Sequence, residues 1–147
     1  MNYNSPKAYF HPEDIVYNEH IFFTDGGCQN NNKKTSPERK MLVCVVDHQG
    51  NPVILKRLQG GSNNIAEWSA VKEALWYALD NKIIPIHIYT DSTNNLAWWR
   101  KITNHAPTKA KEMKSEIADL RTQVNATISW VPREHNLAGI YLEKQGW

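Results

Sequence analysis

The chain has 147 residues, of which 41% are hydrophobic, and a formal net charge of +2 at pH 7. This length suits one globular domain with a real core and is short for two. No stretch approaches the roughly 20 apolar residues that cross a bilayer, and residues 1–20 lack the basic start and apolar centre of a secretory signal. We therefore expect a soluble, cytoplasmic monomer with no membrane partner.

The apolar patterning predicts nine elements. In chain order they are strands at 21–26, 40–47 and 53–58, a helix at 64–79, a strand at 83–90, helices at 94–103 and 108–123, a strand at 127–131 and a helix at 136–144. The first three strands are expected to pair antiparallel. A strand, a helix and another strand normally form a right-handed parallel crossover. The order therefore indicates an α/β fold with a mixed sheet whose first and fourth strands are parallel neighbours.

The ends of the chain and its cysteines add little chemistry. Residues 1–19 are predicted to be an N-terminal extension that packs as an arm on a domain formed by residues 20–147. Cys28 and Cys44 lack the spacing of a disulfide framework or a zinc site. Cys44 lies in an apolar run and is expected to be a small core residue.

Three carboxylates occupy positions typical of a ligand site. Asp25 and Asp91 each follow an apolar run, with a threonine before and small residues after, and Glu67 lies in the first turn of a predicted helix. Ligands of such sheets bind beyond the carboxyl ends of the strands, where both aspartates are predicted to lie. Glu67 shares a helix stripe with small apolar residues, so a partner elsewhere in the fold or a metal must compensate its charge if it points inward. The alternative is a first-turn glutamate that the helix dipole favours and water solvates.

Clustering the three carboxylates gives no stability by itself, because like charges raise each other's pKa. A hard divalent cation reverses this, and oxygen ligands with open positions suit magnesium or manganese. Two such ions can activate water on one side of a phosphorus and stabilise the leaving oxygen on the other. The pattern therefore predicts metal-dependent phosphodiester chemistry.

A basic and aromatic cluster follows the fourth strand, at Trp98, Trp99, Arg100 and Lys101. Flat apolar surface beside positive charge is typical of grooves that bind nucleic acid. A solvated helix face with a tryptophan in the core is the alternative, and we expect one tryptophan in the core and the other on the surface. The cluster as a whole favours a polyanionic partner.

Four motifs taken together resemble the type 1 ribonuclease H family. They are FFTDGG at 22–27, NNIAEWSAVKEAL at 63–75, IHIYTDS at 86–92 and SWVPREHNLAG at 129–139. Each motif is weak alone, but their order and their elements match over most of the chain. The resemblance implies a ribonuclease H-like five-stranded mixed sheet flanked by helices. It also implies cleavage of the RNA strand of RNA/DNA hybrids, leaving a 3′-hydroxyl and a 5′-phosphate.

The resemblance further implies roles for individual residues. Asp25, Glu67 and Asp91 match the family's ligands for two magnesium ions, with manganese as an alternative. The residues that match or adjoin positions reading the hybrid's minor groove are Gly26, Cys28, Gln29, Asn63 and Asn64, and Asn64 is equally plausible as a helix cap. Trp98 to Lys101 occupy the region where some members carry a basic protrusion.

The family's fourth carboxylate is missing. Gly139 stands where an aspartate is expected, and Glu143, one helical turn later, is either a candidate substitute or a solvated side chain. His135 is near the place where members carry a histidine that assists proton transfer or product release. A loop histidine at the start of the last helix is the slightly preferred alternative.

Three other functions stay open at this point. A transposase or integrase of the same broad fold would use two aspartates and a late glutamate, for which Glu143 could serve, but would not need Glu67. The glycine at position 139 motivates a weak or inactive hybrid-binding module. A glycosidase with a carboxylate pair, which needs no metal, is a distant third alternative.

Overall fold

The architecture of a computed structural model confirms the predicted mixed sheet. The structure describes residues 10–29, 40–59, 62–100 and 108–146. Its strands and helices are β1 (Ile21–Gln29), β2 (Lys40–Val46), β3 (Pro52–Gln59), α1 (Asn63–Asp80), β4 (Ile86–Thr90), α2 (Thr93–Arg100), α3 (Thr108–Gln123), β5 (Ala126–Trp130) and α4 (Leu137–Lys144). The sheet order is β3-β2-β1-β4-β5. The two pairs among β1, β2 and β3 are antiparallel, whereas β1 with β4 and β4 with β5 are parallel.

Helices cover both faces of the sheet because its strands bury alternate residues on opposite sides. Phe22 of β1 and Ile88 of β4 belong to a core that includes buried residues of α1 and α3. Phe23, the next residue of β1, belongs to a second core with Ala138 and Leu142 of α4. Cys44 is fully buried in that second core, as the sequence predicted.

Two strands differ in extent from the prediction. β1 runs to Gln29 rather than ending near residue 26, because Gly27 and Cys28 pair with β2. β4 begins at Ile86 rather than at residue 83. The N–H of Ile83 bonds back to the helix carbonyl of Ala78, and the proline at 85 has no N–H to give to a sheet.

The part of the N-terminal extension that the structure describes packs on the second face. Ile15 is buried in the second core, and Phe10 packs against that core. The Phe10 ring also meets Trp130 edge-on, with 6.3 Å between ring centroids. Among the described helices, none has the length and apolar character needed to cross a membrane.

Candidate active site

Asp25 lies in the middle of β1, not at its carboxyl end as predicted. The antiparallel partner β2 extends β1 past this residue and pairs Asp25 with Cys44. The parallel pairing with β4 ends earlier, at Phe23 with Tyr89. Because β4 stops at Thr90, Asp91 still follows a strand end beside Asp25. The prediction was therefore wrong about the strand end and correct about which side chains meet.

Glu67 reaches the two aspartates because α1 packs very closely on β1. A Cβ atom at Gly26 would lie 2.3 Å from the backbone carbonyl carbon of Ala66 and 2.6 Å from the backbone nitrogen of Glu67. Only glycine therefore permits the first turn of α1 to approach β1 this closely. Ser62 caps the helix, and its side chain accepts a hydrogen bond from the N–H of Ile65 at 3.2 Å.

The three carboxylates form one cluster. One oxygen each from Asp25, Glu67 and Asp91 can be chosen so that all of them lie within 4.8 Å of one another. Asp25 is buried and the other two are half-buried. Hard oxygen ligands at this spacing suit a magnesium or manganese ion, so the donor set fits the metals that the sequence predicted.

Burial raises the pKa of all three acids. Desolvation, followed by the charge of Asp91, raises the pKa of Asp25 from 3.8 to about 7. Burial is also the main reason why the pKa of Glu67 is raised, while a hydrogen bond from Ser92 opposes that shift. The pKa of Asp91 is raised by burial too, against the charge of Arg133. A bound cation would favour the ionised forms and reverse these shifts.

Arg133 is a member of the site that the sequence analysis missed. Its Nη1 lies 3.3 Å from Oδ2 of Asp91 and 3.7 Å from Oδ2 of Asp25. Its Nε lies 3.3 Å from Oε1 of Glu143. Burial by itself lowers the pKa of Arg133, but the charges of Asp25 and Asp91 raise it, and the net shift is upward. The only sequence indication was a basic residue directly after the last strand, inside a motif already matched to the site.

Glu143 and Gly139 border the cluster in different ways. The Glu143 side chain is 58% exposed, binds Arg133 and is not a member of the three-carboxylate group. A Cβ atom at Gly139 would lie 3.3 Å from Oδ2 of Asp25 and 3.7 Å from Oδ2 of Asp91. Position 139 therefore faces the cluster directly, and an acidic side chain there would enter it.

The loop after β5 is fixed against the site by Asn136. This residue is fully buried and donates from Nδ2 to the carbonyl of Thr24 at 3.0 Å. Its Oδ1 accepts from the N–H of Ala138 and caps α4. His135 ends the short 3-10 turn before Asn136 and is half-buried, with its ring 5.1 Å from that of Phe10. Its role in proton transfer stays a prediction.

The polar residues at the start of α1 lie beside the cluster. Oδ1 of Asn63 accepts the backbone N–H of Cys28 at 2.8 Å and so ties the helix to β1. Oδ1 of Asn64 accepts from Nδ2 of Asn94 at 3.2 Å. A cleft of about 410 Å³ is lined by Gly26, Cys28 and Asn63 together with Asp25, Glu67 and Arg133. Gln29 is the last residue of β1.

The tryptophan pair differs from the prediction. Trp98 and Trp99 are both half-buried and both pack against the first core. Successive helix residues point about 100° apart, so two neighbouring tryptophans can each pack partly against the same core. The expected division into one core and one surface tryptophan is therefore wrong. Arg100 is exposed at the end of α2, and Lys101 lies outside the described residues.

The sequence matches the RNase H family over residues 17–140. No curated protein sequence matches it. The fold resembles RNase H1 of the halophilic archaeon Halobacterium salinarum NRC-1, with a TM-score of 0.63 and 21% identity over 83% of this chain and 92% of that one.

Two structures of LC11-RNase H1, from compost by a metagenomic approach, resemble it as well. One has a TM-score of 0.59 and 22% identity, covering 86% of this chain and 97% of that chain. The other, a complex with an RNA/DNA hybrid, has a TM-score of 0.58 and 22% identity, covering 79% of this chain and 87% of that chain. Identities this low extend the likeness to the fold alone.

Proposed function

The chain belongs to the RNase H family, and from that premise we propose that it is an endonuclease hydrolysing the RNA strand of RNA/DNA hybrids. The observation that carries the proposal is the cluster of Asp25, Glu67 and Asp91, whose oxygens converge within 4.8 Å. The hybrid bound to the similar LC11 enzyme supports the choice of substrate. Two magnesium ions, with manganese as an alternative, are the proposed cofactors.

The proposed reaction breaks one phosphodiester bond. Divalent ions bound at the cluster would activate a water and neutralise the leaving oxygen. The water oxygen bonds to phosphorus as the bond to the 3′-oxygen breaks, which leaves a 3′-hydroxyl and a 5′-phosphate. In this chain Asp25, Glu67 and Asp91 would hold the cations, and His135 is proposed to move a proton at the leaving oxygen or during product release.

The polar surface beside the cluster is proposed to read the hybrid. Gly26, Cys28 and Asn63 line one cleft together with Asp25 and Glu67, and Gln29 and Asn64 adjoin them in the sequence. Polar side chains and backbone groups can recognise the 2′-hydroxyls of RNA across a minor groove. Trp98, Trp99, Arg100 and Lys101 are proposed to contact the DNA strand, with exposed Arg100 supplying charge for a phosphate.

A cleavage assay tests the proposal. Labelled hybrid, duplex RNA and duplex DNA are incubated with magnesium or manganese and the wild type, Asp25→Asn, Glu67→Gln or Asp119→Asn. Asp119 is exposed on α3 and provides a matched change from carboxylate to amide. We expect cleavage of the hybrid alone, abolished by the first two changes and kept by the third. Cleavage that survives Asp25→Asn, or that falls on duplex DNA, would sink the proposal.

A weak or inactive hybrid-binding module is the second candidate. Gly139 supplies no fourth carboxylate, and Arg133 already pairs with two of the three acids. This candidate predicts hybrid binding without cleavage in either metal. A transposase-like site is less well supported, because Glu67 joins the aspartates whereas Glu143 binds Arg133. Loss of hybrid cleavage in Glu67→Gln would separate the ribonuclease from that alternative.

A further inference from the structure

The guanidinium of Arg133 sits between three carboxylates at one edge of the proposed metal site. Nη1 faces Oδ2 of both Asp25 and Asp91, at 3.7 and 3.3 Å. Nε faces Glu143 at 3.3 Å from the outer side. The Arg133 side chain is 54% exposed, whereas that of Asp25 is 4% exposed. A partly exposed cation thus meets two acids whose side chains are 10% exposed or less on one side and a largely exposed acid on the other.

Arg133 contacts the cluster next to Gly139, where the site lacks a fourth carboxylate. The Oδ2 atoms that Arg133 approaches are the same atoms that a Cβ at position 139 would approach, at 3.3 and 3.7 Å. A carboxylate there would add negative charge and draw a metal ion in. Among the residues that the structure describes, those two oxygens instead have a positively charged partner, and no fourth acid joins their cluster.

We propose that Arg133 is a resident cation of the metal-free site. It offsets part of the negative charge of Asp25 and Asp91, and it must withdraw from them when a divalent ion binds there. Glu143 acts as the acceptor that holds the withdrawn guanidinium, and so positions Arg133 without ligating the metal. The inference rests on the proposed function in one respect only, namely that the cluster binds a divalent ion.

Elementary electrostatics gives the direction of the effect. An oxygen engaged by a guanidinium has fewer lone pairs to offer a metal. A positive charge a few ångströms from a divalent ion also repels it strongly in a partly buried site. Because half of the Arg133 side chain is exposed, it can leave by rotating towards water. Metal binding is therefore weakened by the work of parting the ion pairs, and it is not prevented.

Binding of Mn²⁺ alone, without nucleic acid, tests the proposal. Free Mn²⁺ is followed by electron paramagnetic resonance at a pH above the pKa of Asp25. Arg133→Gln, which keeps much of the length and removes the charge, should bind Mn²⁺ about tenfold more tightly than the wild type. Arg133→Lys, which keeps the charge, should stay close to the wild type. As a control, Lys144→Ala removes an exposed positive charge at the end of α4, next to Glu143 in the sequence. It should change the affinity for Mn²⁺ by less than about twofold.

A double-mutant cycle separates the two possible roles of Glu143. If Glu143 acts through Arg133, Glu143→Gln weakens Mn²⁺ binding in the wild type and has little effect in the Arg133→Gln background. If Glu143 is instead a metal ligand, Glu143→Gln weakens Mn²⁺ binding equally in both backgrounds. That result overturns the positioning role. Thermal unfolding of each variant with a chelator confirms that it is folded before the affinities are compared.

Three further outcomes are decisive. Equal or weaker Mn²⁺ binding by folded Arg133→Gln overturns the resident-cation proposal, even if hybrid cleavage is found. The expected tightening in a protein that cleaves no hybrid supports this proposal and contradicts the proposed function. Absence of Mn²⁺ binding by the wild type and all variants overturns both.

Discussion

The raised pKa of Asp25 predicts that replacing this acid by its neutral amide stabilises the metal-free protein. An acid that is harder to ionise when folded reduces stability as pH rises from its unfolded pKa towards its folded pKa, and the loss is complete above the folded pKa. For Asp25 this window runs from 3.8 to about 7. Asp25→Asn cannot ionise and so avoids the loss.

The size of the effect follows from the width of that window. Each pKa unit corresponds to about 1.36 kcal/mol, so roughly three units give a ceiling of about 4 kcal/mol. Glu67 and Asp91 also have raised pKa values, and their titration is coupled to that of Asp25. Replacing one of the three acids therefore recovers only part of this free energy. We therefore expect the free energy of unfolding of Asp25→Asn to exceed that of the wild type by about 2 kcal/mol above neutral pH. Near pH 4 the two should differ little.

Urea unfolding with a chelator, followed by tryptophan fluorescence over a pH series, measures this difference. Magnesium should raise the stability of the wild type at alkaline pH and leave that of Asp25→Asn unchanged, because only the former keeps the full ligand set. Asp119→Asn should show no comparable pH-dependent gain. A difference between Asp25→Asn and the wild type that is constant across the pH series would refute the reasoning.

Three further changes have outcomes fixed by single contacts. Gly139→Asp should tighten magnesium binding in calorimetry and lower metal-free stability, since its side chain enters an acidic cluster; unchanged affinity would contradict this. Asn136→Ala should cost about 2–3 kcal/mol in urea unfolding, because a buried carbonyl loses its donor and α4 loses its cap; a loss below about 1 kcal/mol would contradict it. Phe10→Ala should cost about 1–2 kcal/mol through its contact with Trp130, whereas Val16→Ala, at a 68% exposed side chain, should cost less than about 0.5 kcal/mol; equal losses would argue against the contact.

The helices, the strands and the three central acids could be predicted because residues close together in the sequence determine them. Periodic apolar residues and the serine cap of α1 lie close together in sequence, and Asp91 follows the short apolar strand β4. The extent of β1 could not be predicted, because its last residues are strand only through pairing with β2, which follows a polar stretch of sequence at residues 30–39. The position of Arg133 was hidden for a similar reason. Its partners Asp25 and Asp91 are far away in sequence, and only the fold shows where the guanidinium points.

Two glycines have opposite effects on the site. At Gly26 the missing side chain lets α1 approach β1 and brings Glu67 to Asp25. At Gly139 the missing side chain leaves the cluster with one acid fewer, beside oxygens that Arg133 contacts. Fewer acids and a nearby cation both lower the affinity for a divalent ion. The proposed enzyme should therefore need more free metal than a variant with an acid at position 139.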